Sequence, residues 1–148
     1  MLSNIEVRDM LPDDLPAVCD LNLQLGYSGT EEQIRGRFQG IRQHAGERLF
    51  AALLGQRVVG WLHVQSHHSL DSEPYAEIRG LVVNRKDRRR GVGRALVGRA
   101  HEWAKECRHQ TLLARSNVQR EEAHPFYSTL GFQVTKTQHT YTLDVAGD

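Results

Sequence analysis

The sequence predicts a mixed α/β domain whose elements follow the order βααβββαβαβ. Three observations predict it. Apolar runs of strand length alternate along the chain with segments whose apolar residues recur every three or four positions. One such run, Ile78 to Val83, leads through the basic stretch Arg85 to Arg94 into the helical stripe Val92, Leu96, Ala100, Trp103 and Cys107. Two glycines, Gly91 and Gly93, stand at that junction. Strand, basic glycine loop and helix in succession are the unit from which α/β folds are built.

Each element has its own signal. Asn4 to Arg8 reads as a short strand. Pro12, Asp13 and Asp14 open a helix, with acids in the first turn and Val18, Leu21 and Leu25 as its apolar face. Gly26 to Thr30 is a loop. Thr30 caps a second helix, since Gln33 stands three residues on as in a capping box, and Ile34, Phe38 and Ile41 form the stripe. Arg48 to Leu54 and Arg57 to Gln65 are strands of a hairpin turning at Gly55-Gln56. Residues 66–74, rich in Ser and His, read as a loop. Tyr75 to Asn84 is a central strand, Gly91 to about Arg108 the main helix, and Thr111 to Ser116 the next strand. Pro125 lacks an N–H and is tolerated only near a helix start, so the last helix begins near Glu121 or Glu122. Ala123, Phe126, Tyr127 and Leu130 form its buried face and Gly131 stops it. Phe132 to Leu143 alternates as a final strand.

Composition narrows the functional classes. The chain has 148 residues, enough for one domain with a real core. Its formal net charge of +1 gives no general attraction to nucleic acid. Cys19 and Cys107 have neither disulfide-framework nor metal-ligand spacing, so no metal is expected and a reducing, cytoplasmic setting fits. The first residues carry Glu6, Arg8 and Asp9 rather than an apolar stretch, and no run approaches the length of a membrane span.

The basic loop carries the most chemistry. Glycines let a backbone approach a ligand closely, and the first turn of a helix offers unpaired N–H groups at the positive end of its dipole. Together they suit a phosphate or pyrophosphate, with arginines adding charge-assisted contacts. The glycine spacing is neither that of a Walker loop nor that of a dinucleotide fingerprint, because Arg94 and Leu96 stand where further glycines would fall. It resembles the signature of the GNAT superfamily of acyl-CoA-dependent N-acyltransferases: glutamine or arginine, two residues, glycine, one residue, then glycine or alanine. Arg88, Gly91 and Gly93 fill the defining positions. A second stretch resembles the family's later motif. Asn117 ends a strand, Ala123-His124-Pro125-Phe126-Tyr127 follows on a short helix, and Gly131-Phe132 closes it. The resemblance is strong from about residue 47 to 134 and also takes in Glu77 to Val83.

The resemblance implies a single domain over residues 1–148: a mixed, twisted sheet of about six to seven strands with helices on both faces. It implies acetyl-CoA as co-substrate. Arg88, Arg89, Arg90, Gly91, Val92, Gly93, Arg94 and Ala95 would hold its pyrophosphate, and Leu81, Val82 and Val83 would pair through their main chain with its pantetheine arm. That strand carries a bulge in the family, with which Gly80 is compatible, and splays from its parallel neighbour at 111–116. A main-chain N–H near Val82 would polarise the acyl carbonyl. Asn117 matches a position that contacts pantetheine; it is otherwise a strand-end residue. Tyr127 matches a tyrosine whose hydroxyl lies near the sulfur and can give it a proton, since a phenol stays protonated at neutral pH. Without that role it is a core aromatic. Glu77 matches a strand glutamate that accepts the amine proton; alternatively it pairs with Arg79 or a neighbouring strand. By alternation Glu77, Arg79 and Leu81 share one face and Ile78, Gly80 and Val82 the other. His63, His67, His68, His124 and water are the other candidate bases, with His67 and His68 read as exposed loop residues.

Function therefore divides into three readings. In the first, the chain is an N-acetyltransferase that passes an acetyl group to a primary amine of a small molecule or peptide by direct attack in a ternary complex. In the second it is a CoA-binding sensor without turnover, which would need neither Tyr127 nor Glu77. In the third it binds nucleic acid through Arg85 to Arg94, which the near-neutral charge and the lack of interleaved aromatics disfavour. The acceptor site falls to residues 23–38, the 66–75 loop and the last strands, where Glu31, Glu32 and Asp71 offer negative charge to a cation. Asn22 to Tyr27 resembles the first helix and loop of small bacterial family members, some of them aminoglycoside acetyltransferases. A homodimer is expected through Thr135 to Leu143, whose Thr140-Tyr141-Thr142 suits an exposed strand edge.

Overall fold

The structure, a computed structural model, describes residues 4–116 and 122–146. The chain forms two compact units, Met1–Arg115 and Ser116–Asp148.

The first unit is built on a five-stranded sheet in the order β1-β2-β3-β4-β5. Its strands are β1 (Ile5–Asp9), β2 (Glu47–Leu54), β3 (Arg57–His67), β4 (Tyr75–Val83) and β5 (Leu112–Ala114). The first four are antiparallel neighbours, and β5 runs parallel to β4. Helices α1 (Leu15–Gln24) and α2 (Glu31–Arg42) cover one face; α3 (Val92–Glu106) covers the other. The expected cap of α2 is present: Thr30 Oγ1 accepts from the Gln33 N–H at 3.1 Å while Gln33 Oε1 accepts from the Thr30 N–H at 3.0 Å. Gly55 turns the β2–β3 hairpin at φ +65, a left-handed conformation that favours glycine.

Both faces are packed. Under α1 and α2, the buried Met10, Leu15, Val18, Phe38, Ala51 and Leu53 form a cluster edged by Ile34, Leu49, Val58 and Trp61. On the other face the side chains of Val92 and Leu96 from α3 close over Gly60. Phe50 is fully buried with the Arg99 guanidinium 4.7 Å from its ring centroid, a cation–π contact. At the start of α1, the buried Asp14 accepts from Arg8 at 2.7 and 2.9 Å and from the Leu11 N–H at 2.7 Å. Burial pushes its carboxyl up, but these donors outweigh burial and hold it below the usual carboxylate range.

In the second unit, α4 (Ala123–Thr129) begins directly after Glu122, which puts Pro125 in its first turn as the missing N–H requires. It ends in a Schellman motif. Gly131 is left-handed at φ +95, its N–H reaches the Ser128 carbonyl at 3.0 Å, and the Phe132 N–H reaches the Tyr127 carbonyl at 3.0 Å. Ala123, Phe126, Tyr127 and Leu130 do share one face, half-buried rather than fully covered.

Two expectations are corrected. The sheet has five strands rather than six or seven, and residues 132–146 form no strand among the described residues. Alternation equips a chain for a ladder, but a strand exists only where another backbone supplies its hydrogen bonds. Here Val134, Tyr141, Leu143 and Val145 stand exposed. The second correction concerns β3, which continues to His67 and so takes that histidine out of the loop.

Candidate active site

The site begins with an irregularity in β4. His63 faces Gly80 across the β3–β4 ladder, yet the next pair is Val64 with Ile78, so Arg79 is the extra residue of a bulge. The expected bulge is therefore present, and it reverses the expected faces beyond it. Glu77, Gly80 and Val82 share the α1/α2 side, while Ile78, Leu81 and Val83 share the α3 side. Simple alternation had joined Glu77 to Leu81; an inserted residue flips every side chain after it. Gly80 is needed where it stands, because a β-carbon there would lie 2.8 Å from the Trp61 ring.

The bulge also marks where β4 and β5 part. Their parallel ladder covers Ala76 to Ile78 and ends. Over Leu81, Val82 and Val83 the β5 side of β4 has no neighbouring strand among the described residues. That leaves a main-chain edge able to pair with an extended ligand.

From that edge the chain passes through a short turn (Arg85–Asp87) into the glycine loop. Arg89 and Gly91 are both left-handed, at φ 66 and 89. Gly91 is the N-cap of α3, so its conformation itself calls for glycine. Arg89 holds a conformation that ordinary residues avoid, a strain concentrated at functional sites. Among the described residues, the main-chain N–H groups of Arg89 to Arg94 have no protein acceptor. They stand ready at the positive end of a helix for an anion.

Asp87, the lone acid within this basic stretch, is what sets the loop. It is 2% exposed and accepts from Arg57 at 2.9 and 3.3 Å, Asn84 Nδ2 at 2.7 Å and Arg90 at 3.4 Å. Asn84 in turn accepts from Gln24 Nε2 at 2.9 Å, and Gln24 Oε1 accepts from the Arg85 N–H at 2.9 Å. The loop is thus tied to β3 and to α1. Sequence reading passed over Asp87 as a structural residue, although its isolation among arginines was the available signal. The Arg57 guanidinium, aided by Asn84 against the opposing effect of burial, holds its carboxyl below the usual range. Asp87→Asn is therefore expected to lower unfolding stability at pH 7 by about 1–3 kcal/mol. The native carboxylate binds its proton less readily than the unfolded one. Its stabilisation is complete above the ordinary aspartate range and is lost as pH falls through the depressed native value. Urea titrations of both proteins should converge in acid; coincident curves at pH 7 would show that Asp87 does not hold the loop.

Glu77, also 2% exposed, sits near the end of β4 that β5 covers. Arg115 Nε donates to its Oε2 at 2.9 Å, with Arg79 at 3.4 Å, while His67 Nε2 approaches Oε1 to 2.7 Å without the alignment of a hydrogen bond. Both alternatives to a base role, pairing with Arg79 and pairing towards the next strand, are realised. His67 also stacks on Tyr75, ring centroids 5.1 Å apart. His68 is exposed, and His124 lies exposed on α4, 3.4 Å from Ser128 Oγ.

On the α1/α2 face lies a cavity of about 200 Å³, whose lining includes Met10, Tyr27, Arg37, Phe38, Trp61 and His63. Trp61 Nε1 donates to Asn22 Oδ1 at 3.0 Å, fixing the indole that also covers Gly80. Tyr127, in the second unit, packs edge-on against Phe126 and Phe132 at 5.0 and 5.3 Å. Asn117 lies outside the described residues. Among the described residues no cluster of His, Cys, Asp or Glu suits a metal ion.

A strand bulged beside a gap, followed by a left-handed glycine loop whose N–H groups have no acceptor among the described residues, suits an extended ligand that carries an anion. Comparison with known proteins places the chain. The model of the acetyltransferase (GNAT) family matches residues 9–132, and the protein belongs to that family of acyltransferase enzymes. It is 25% identical over 134 residues to aminoglycoside N(6')-acetyltransferase type 1 of Stenotrophomonas maltophilia, covering 88% of this chain and 87% of the relative. In fold it is similar to aminoglycoside N-acetyltransferase AAC(6')-Iy in complex with CoA. The TM-score is 0.86 at 20% identity, over 97% of each chain. It is similar too to a Bacillus halodurans C-125 protein described as a transcriptional regulator, with TM-score 0.83 and 23% identity over 94% of this chain and 99% of the other.

Proposed function

We propose that the protein transfers the acetyl group of acetyl-CoA to a primary amine of a small molecule or peptide, by direct attack in a ternary complex, with residues 1–148 acting as one functional domain. The observation that carries this reading is the free edge of β4 at Leu81, Val82 and Val83 running into the unpaired N–H groups of the glycine loop. Main-chain pairing would hold the pantetheine arm. Arg88, Arg89, Arg90, Gly91, Val92, Gly93, Arg94 and Ala95 would take the pyrophosphate, and Asn117 would contact the arm. Acetyl-CoA supplies the activated acyl group as a thioester. Tyr127 would give a proton to the departing sulfur.

In this reading Glu77, the base that the resemblance implies, serves instead as a structural tie. With two guanidinium groups at Oε2 and His67 beside Oε1, it is better suited to tie β4 to the segment after β5 than to collect a proton. No helix among the described residues is long and apolar enough to cross a membrane. A cytoplasmic setting is part of the proposal. So is a homodimer, for which the exposed Tyr141, Leu143 and Val145 give support.

Acetyl-CoA binding tests the reading directly. A ligand that binds only the native state stabilises it by mass action, by about 2.7 kcal/mol at one hundred times the dissociation constant. Thermal melts with millimolar acetyl-CoA should rise by several degrees, and S-acetylpantetheine, which lacks the pyrophosphate, should give much less. An unmoved melting temperature would falsify the proposal.

A further inference from the structure

His63 and Glu47 come from neighbouring strands and are diagonal neighbours on the α1/α2 side, His63 lying opposite Leu49 and Glu47 opposite Gln65. His63 Nε2 and Glu47 Oε1 are 2.7 Å apart, with both side chains largely buried, at 16% and 14% exposure. A carboxylate only accepts, so it fixes the imidazole proton on Nε2 and leaves a lone pair on Nδ1. Among the described residues Nδ1 has no protein partner. His63 lines the α1/α2 cavity and lies directly across the ladder from Gly80 at the β4 bulge. A base held by a carboxylate, with its free nitrogen beside the point where the reactive end of an arm on β4 would lie, is the arrangement an amine acceptor needs.

The cavity also describes the acceptor. Met10, Val18, Phe38, Leu49 and Trp61 give it mostly apolar walls. The charged and titratable groups around it are Glu47 from β2, Arg37 from α2 and Tyr27 from the loop between the helices, with none from α1. Glu47 is already paired with His63, and Arg37, which makes no ion pair among the described residues, would repel a polycation.

Building on acetyl transfer as proposed above, we infer that this cavity is the acceptor site, that it takes a primary amine carried on an apolar chain or ring, and that His63, oriented by Glu47, is the general base. Nδ1 takes one proton from the ammonium and frees the nitrogen lone pair. The N–C bond then forms as the C–S bond breaks. The departing sulfur takes the proton that Tyr127 is proposed to give, the second amine proton restores that phenol, and the first passes from His63 to solvent. Glu47 acts through His63 as a positioning residue.

The test measures CoA release from acetyl-CoA with hexylamine and benzylamine as probes and sisomicin as a polycationic comparison. It is run from pH 6 to 10 on the wild type, His63→Gln and Glu47→Gln, alongside the melting-temperature rise with acetyl-CoA for each. The apolar amines should be acetylated with kcat/KM at least tenfold above sisomicin. His63→Gln should lose about 10²-fold or more in kcat at pH 7, within the range for a lost general base, and recover as rising pH deprotonates the amine. Glu47→Gln should lower kcat with KM little changed, and should cost nothing further in the His63→Gln background, since it acts only through the imidazole; a merely structural contact would cost the same in both backgrounds. Both variants should keep the acetyl-CoA melting shift. If the wild type shows no such shift, acetyl transfer itself fails. If the shift is present but neither apolar amine is turned over, or sisomicin is preferred, the acceptor assignment is overturned. A His63→Gln profile matching the wild type would overturn the base.

Discussion

Tyr127→Phe is expected to lower turnover roughly 10- to 1000-fold while leaving acetyl-CoA affinity nearly unchanged. The ring packs edge-on against Phe126 and Phe132, and phenylalanine keeps both contacts. Those contacts also close the helix end, because Phe132 stands at the position that pairs with Tyr127 in a Schellman motif. What the variant loses is the hydroxyl, whose proposed work is to protonate the departing sulfur. Losing a general acid of that kind costs about 10²- to 10⁴-fold where proton transfer limits the rate, and less where another step shares control. The measurement is kcat on a good amine acceptor with chemistry shown to be rate-limiting, beside a titration of acetyl-CoA binding. Wild-type turnover would return Tyr127 to the role of a packing aromatic.

Gly60→Ala should damage both fold and cofactor site. A β-carbon at Gly60 would sit 2.9 Å from the Val82 carbonyl oxygen, 3.1 Å from Val92 Cγ1 and 3.2 Å from Leu96 Cδ1. The carbonyl belongs to the backbone and cannot swing aside as a side chain can. β4 and the first turn of α3 must therefore separate, and they are the two segments proposed to hold acetyl-CoA. Overpacking of this sort costs about 1–3 kcal/mol, and the acetyl-CoA melting shift should shrink with it. Gly40→Ala is the matched control. It lies in α2 with nothing within 4 Å of the added carbon, so alanine should stabilise by about 0.5–1 kcal/mol through helix propensity. Equal melting temperatures for the two variants would show that the β3–β4–α3 contact is looser than its distances say.

Much of the fold was legible in the sequence because its signals are local. The Thr30–Gln33 capping box, the Gly55 turn, the Pro125 helix start and the Gly131 stop each depend on residues within a few positions of one another, and each is realised. The strand–loop–helix unit at residues 75–106 was equally clear, since the period of apolar residues changes from strand-like to helical across Gly91. The final strand failed for the opposite reason. Phe132 to Leu143 has the right alternation, but pairing is a property of two segments, and one sequence stretch cannot show whether a partner backbone is beside it.

The site followed the same division. Family membership was legible in the residues alone: Arg88, Gly91 and Gly93 fill one motif, and Tyr127 ahead of the helix-closing Gly131-Phe132 belongs to the other. Which side chains share a face was decided only by the tertiary structure. One inserted residue at Arg79 turned Gly80 and Val82 towards α1 and α2, a reversal that alternation counting cannot anticipate, because a bulge is fixed by what lies across the ladder. The sheet and the segments that leave it brought together residues far apart in sequence: Asp87 with Arg57, Glu77 with Arg115, and His63 with Glu47. A charge reads as solvated surface until a neighbouring strand or loop encloses it, and only the packed fold shows which charges are enclosed, and against what.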